Sequence, residues 1–216
     1  MAAVRRLLRR RGGVEPIRDA AALRHFLQTR SSYVAQMTLY GYLRTRAGTR
    51  LALLYEDDQF VVAANIAKWH VWLACLSDLA AYAGGMVRRN SGAADADVGR
   101  LMCSIVDEIL AETGTPDDAG VEFASHAERV RARLALCNWS AQTDDNAPFS
   151  ESPGALIHWA PIVDVLKELD DEIVRNSMRF RWQEIRREMR QGLDAASVMG
   201  NANPSEGAGA RPLPRA

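Results

Sequence analysis

Apolar residues recur every three or four positions along most of the chain, and no stretch of useful length alternates with a period of two. The first spacing gathers side chains on one face of an α-helix; the second, the mark of a strand, is missing. The pattern predicts an all-α fold, a single bundle of about five main helices around a buried central helix. In the first helix, expected over Ala20–Ala47, Leu23, Phe26, Leu27, Val34 and Met37 share a face, Asp19 is placed to cap the start and Gly48 ends it. The second opens on the acidic run Glu56, Asp57, Asp58 and continues to about Ala83, where Gly84 and Gly85 are expected to stop it. Three more are expected over about 97–112, 117–138 and 161–191, separated by Gly114 and Pro116, by a polar loop holding Asp144, Asp145, Asn146 and Pro148, and by Pro153 and Pro161. The last would be roughly 45 Å long at ~1.5 Å per residue.

The second helix is apolar nearly all round from Phe60 to Ala83, which marks a buried helix. Its length also suits a membrane span, but Asn65, Lys68, His70 and Asp78 would be costly at mid-bilayer, so a core helix is expected. At about 100° per residue, Asn65, Trp69, Trp72, Leu76 and Leu79 form one side. Ala63, Ala67, Ala74 and Ala81 form the other, with His70, Ser77 and Asp78 along it. Such a small-residue side either admits another helix closely or leaves room for a ligand.

The ends read differently. Residues 1–18 form a basic arm expected to be flexible, 19–194 the helical bundle, and 195–216 a Gly-, Pro-, Ala- and Asn-rich tail expected to be disordered. No apolar segment follows Arg5, Arg6, Arg9, Arg10 and Arg11, so the start is not a secretory signal, although the arm is a candidate for contact with an anionic membrane surface. Charge is uneven within a net of zero. Residues 1–50 carry eleven arginines against Glu15 and Asp19, whereas 51–172 carry eight basic against twenty-one acidic residues. Neutrality leaves little long-range pull on a polyanion, so nucleic acid is not expected, and basic helices packed beside acidic ones account for the layout. Cys75, Cys103 and Cys137 lack metal spacing and sit among apolar residues, which suits a reducing compartment and a cytoplasmic location.

No complete catalytic, cofactor or phosphate-loop motif is present. Glu122 and His126, four apart, are half of a helical metal site without a second half, so neither metal nor cofactor is expected. Two strings carry candidate binding chemistry. Arg44, Arg46 and Arg50 follow Tyr40 and Tyr42 at the end of the first helix; they either complement the helix dipole or hold a carboxylate or phosphate, unless Glu56, Asp57 and Asp58 occupy them. In the last helix Arg175, Arg179, Trp182 and Arg186 form a stripe of the residue types enriched at interface centres. The leading expectation is a non-enzymatic interaction protein (an adaptor, assembly factor or complex subunit) that binds another protein or itself through that stripe and the arginine-rich turn after the first helix. It requires an exposed Trp182 and no pocket beside His70. The alternative is a helical enzyme or small-ligand binder whose anionic ligand is held by Arg44, Arg46 or Arg50 near His70 and Asp78.

Overall fold

The computed structural model describes residues 15–202. Over these residues the chain is helical, without strands. The elements are α1 (Ala20–Ala47), the short α2 (Leu51–Leu54), α3 (Asp58–Ser91), α4 (Asp95–Thr113), α5 (Phe123–Ala135), α6 (Ser152–Trp159), α7 (Asp164–Gly192) and α8 (Ala195–Ala202). Five are long and three short, around α3 as the centre. Every residue of α3 from His70 to Val87 is buried, and α1, α4, α5, α6 and α8 pack on it. This helix is long and apolar enough to cross a membrane; in the fold, other helices enclose its second half. α7 packs mainly against α1 and α6.

Two starts follow their caps. The Asp19 carboxylate accepts the Ala22 N–H at 2.8 Å at the start of α1, and Asp57 accepts the Gln59 N–H at 2.9 Å at the start of α3. Met37, expected on the inner face of α1, is instead 45% exposed; Thr38 and Leu39 are buried there.

Three boundaries differ from expectation. α3 does not stop at Gly84-Gly85 but runs to Ser91, ending where Gly92 takes the left-handed conformation (φ 70°) and donates to Arg88 O. The two glycines are packing positions: a Cβ on Gly84 would lie 2.1 Å from the Trp139 ring, and one on Gly85 2.3 Å from Gln142 Cβ. Close approach there offsets the ~1 kcal/mol that glycine costs in a helix. α5 starts at Phe123 rather than at Asp117, because Asp118 accepts from Trp69 Nε1 (2.6 Å) and Lys68 Nζ (3.0 Å) on α3 and Gly120 sits at φ 76°. The expected tail also begins too early: 195–202 is helical and buries Ala195 and Val198 against the bundle. At the other end, Ile17 is buried and pairs with Leu193, so the last residues of the expected arm are anchored. The remainder of arm and tail, 1–14 and 203–216, lies outside the described residues.

Arginines of α1 do meet acidic helices. Arg24 pairs with Glu112 on α4 (3.0 Å), Arg30 with Glu188 on α7 (2.6 Å) and Arg46 with Asp170 on α7. Pairing inside the fold thus takes up part of the uneven charge, although an exposed pair such as Arg24–Glu112 adds little stability.

Candidate functional site

The polar residues of α3 do not line an open face. They are the inner layer of a site completed by α5 and α6. His70 is fully buried, with its ring stacked flat on Trp159 of α6 (centroids 3.7 Å apart, planes 8° apart). Its Nδ1 meets Nδ1 of His126 on α5 in a hydrogen bond, so one ring donates and the other accepts. Burial, followed by the neighbouring His126, lowers the His70 pKa to about 4. The Ala119 backbone works in the opposite direction, without a hydrogen bond of normal geometry to Nε2. Burial, then Arg129, lowers the His126 pKa as well. His70 is therefore a neutral ring that fixes His126 through Nδ1 and leaves it Nε2 for other contacts.

Two turns further along α3 the layer becomes ionic. Asp78 is wholly buried and accepts from Arg133 Nη1 of α5 (2.7 Å) and from the backbone N–H groups of Glu151 (3.1 Å) and Ser152 (2.8 Å). Burial raises the pKa of its carboxyl, and Arg133 opposes that rise. Arg133 also donates to Ser77 Oγ (2.9 Å) and lies 3.2 Å from the Glu151 carboxylate. Burial works against its charge, but Asp78 and Glu151 outweigh it and hold the pKa up. This pair pins α5 and the start of α6 to α3.

Outside the inner layer is a pocket of about 320 Å³ lined by Leu73, Ala74, His126, Arg129, Val130, Glu151, Gly154, Ala155, His158 and Trp159. Its walls are small: Ala74 from α3 and Gly154 and Ala155 from α6, where a Cβ on Gly154 would meet nothing within 4 Å. Its polar rim is His126 and Arg129 from α5 with Glu151 and His158 from the α6 segment. The His158 ring stands edge-on to Trp159 (centroids 4.9 Å, 88°). A larger pocket of about 700 Å³ lies along Pro16, Ile17, His25 and Arg30, but it borders the end of the described residues and its arginine is paired with Glu188.

The residues expected from sequence separate into three groups. His70 and Asp78 belong to this site as its buried support. Arg44, Arg46 and Arg50 do not line the pocket: Arg44 and Arg50 are exposed, and Arg46 shares Asp170 with the Tyr42 hydroxyl (2.9 Å). The occupant of Arg46 comes from α7, not from the Glu56–Asp58 run. The Arg–Trp stripe is not an exposed face either. Trp182 is fully buried, donates to Ser152 Oγ (3.1 Å) and stacks on Phe149, because it continues the inward row Val174, Met178, Ile185 and Met189. Arg186 is turned back to Asn146 and Asp144, and Arg175 to Asp171; Arg179 alone of the three is exposed.

Arg129, Arg133, Glu151 and Trp159 were not expected. A signal existed on α5, where His126, Arg129 and Arg133 fall at i, i+3 and i+7 on one face. Among the described residues no three His, Cys, Asp or Glu side chains gather as a metal set. Compared with known proteins, the chain matches no family profile, no curated protein and no solved structure.

Proposed function

We propose that the protein binds a small anionic molecule in the pocket between α3, α5 and α6. The observation that supports this most is convergence: α5 and α6 bring His126, Arg129 and His158 to one concavity, where they outnumber the single Glu151 carboxylate and where Ala74, Gly154 and Ala155 leave room. Arg129 provides permanent charge at the rim. His126 and His158 provide ring N–H groups that donate to a carboxylate or phosphate oxygen, and a protonated ring adds its charge to the contact. A volume near the lower end of the range for ligand pockets suits a metabolite-sized molecule. Because His126 is oriented by a buried neutral partner, the site is also equipped for proton transfer to whatever it holds.

Titration calorimetry with succinate and with phenyl phosphate tests this reading. Saturable binding of either is expected, weakened at least tenfold by Arg129→Ala and by His158→Ala. Binding equal in both variants would overturn the assignment, as would no binding of carboxylates or phosphates at any pH. A second reading, docking of a protein, is favoured by a different observation: α7 presents exposed apolar residues on its outer face.

A further inference from the structure

We propose that α7 is the seam of an antiparallel, two-fold dimer of this chain. The inward row of α7 is filled by Val174, Met178, Trp182, Ile185 and Met189. On the opposite side Val165, Leu169, Ile173 and Phe180 are 69%, 71%, 68% and 70% exposed. At 3.6 residues per turn these four and Asn176 lie within about 80° of arc, a continuous apolar strip interrupted by one amide. Single exposed apolar residues are ordinary, but a contiguous strip on one helix is the mark of an interaction surface. The spacing 169, 173, 176, 180 alternates four, three and four, as in helices that pair along their length, and one polar residue in such a seam fixes register.

The charges choose the occupant and its direction. Over 164–173 the helix carries five carboxylates and one lysine; over 174–192 it carries six arginines and two glutamates. Reversed against itself, each half meets its opposite, whereas a parallel pair sets like against like. The rim shows the same at the level of side chains. Glu168, Glu172 and Arg179 lie along one flank of the strip, all exposed, and none is in an ion pair among the described residues. An antiparallel pair centred between Ile173 and Asn176 faces Leu169 with Phe180 of the second copy and Ile173 with its Asn176. It also places Arg179 between Glu168 and Glu172 of the other copy, and the two-fold axis repeats each contact. No other protein is needed to complete the surface.

Sedimentation equilibrium of the full chain at roughly 100 µM tests this, a concentration above the micromolar constants of modest interfaces. The wild type is expected to be a dimer and Leu169→Glu/Ile173→Glu a monomer with an unchanged circular-dichroism spectrum, because both side chains are already in water. Glu168→Arg/Glu172→Arg sets three arginines against three and should weaken the dimer at least tenfold. Adding Arg179→Glu to that variant restores opposite charges across the seam and should restore the dimer. A monomeric wild type would overturn the proposal, and so would dimers indifferent to the charge reversal. Association unchanged by Leu169→Glu/Ile173→Glu would place the contact elsewhere. These outcomes are independent of ligand binding, so the seam and the pocket stand or fall separately.

Discussion

His70 shows how a single buried side chain ties stability to pH. In the unfolded chain an ordinary histidine takes up a proton near pH 6.5, while in the fold His70 resists protonation down to about 4. Between those values the unfolded state binds more protons, so stability rises with pH across the window. The contribution is complete above 6.5 and is lost as pH falls toward 4. Its size is on the order of 2–3 kcal/mol, and the lowered pKa of His126 acts in the same sense. Urea unfolding at a series of pH values should show this loss, and His70→Phe, which keeps a flat ring against Trp159, should remove most of the slope. A slope unchanged in that variant would show that His70 is not the titrating group. Asp78 predicts a counterpart that rests on charge pairing. Asp78→Asn leaves the half-buried Arg133 guanidinium with only the more exposed Glu151 carboxylate to balance it and should cost roughly 3 kcal/mol in urea unfolding. Adding Arg133→Met should recover part of that loss. His70 and Asp78 were legible in the sequence as polar residues on an apolar helix. Their partners were not, since His126 and Arg133 lie 56 and 55 positions further on and only the packing of α5 on α3 brings them together.

Helices whose ends are set locally were the legible ones. α1 begins after Asp19 and α3 after Asp57 because a carboxylate one step ahead of a helix satisfies its first free N–H groups, an effect contained within four residues. Gly84-Gly85 shows the limit of local reading. The conformational cost of two glycines is visible in sequence, whereas the indole that needs their bare backbone comes from residue 139. Gly84→Ala should therefore destabilise the protein even though alanine is the better helix former. The added methyl overlaps the Trp139 ring, and the expected loss is about 1–3 kcal/mol, the usual range for an overpacked core. Chemical denaturation measures it; a neutral or stabilising result would mean that the Trp139 turn yields without cost. The same reasoning explains the Arg–Trp stripe of α7. Spacing alone permits either Arg175–Arg179–Trp182–Arg186 or Val174–Met178–Trp182–Ile185 as a row. The second wins because four apolar side chains are removed from water along it, each contributing ~1.5–3 kcal/mol when fully buried.

At the scale of the whole molecule, the two ends of the described chain hold each other. Ile17 N–H donates to Gly192 O (2.8 Å) and Asp194 N–H to Ile17 O (2.9 Å), while Asn201 Nδ2 donates to Arg18 O (3.0 Å). Between these contacts α8, with Asp194 bonded to both the amide and the hydroxyl of Ser197, lies on α1 and α3 and buries Ala195 and Val198. Composition concealed this helix, because its alanines and single valine sit beside a Gly- and Pro-rich stretch and resemble its beginning. Its burial, on the central helix that carries His70 and Asp78, makes it part of the scaffold rather than an appendage. A chain ending after Asp194 should thus expose apolar surface on α1 and α3 and lose about 2–4 kcal/mol, taken from the value of one buried valine and its neighbours. For a domain of this size that corresponds to a fall of roughly 5–10 °C in Tm. Val198→Asp tests the same contact without changing length, since a carboxylate in that position has no partner and should destabilise at least as much. Thermal melting followed by circular dichroism decides: equal melting of wild type, truncation and Val198→Asp would show that α8 rests on the bundle without supporting it.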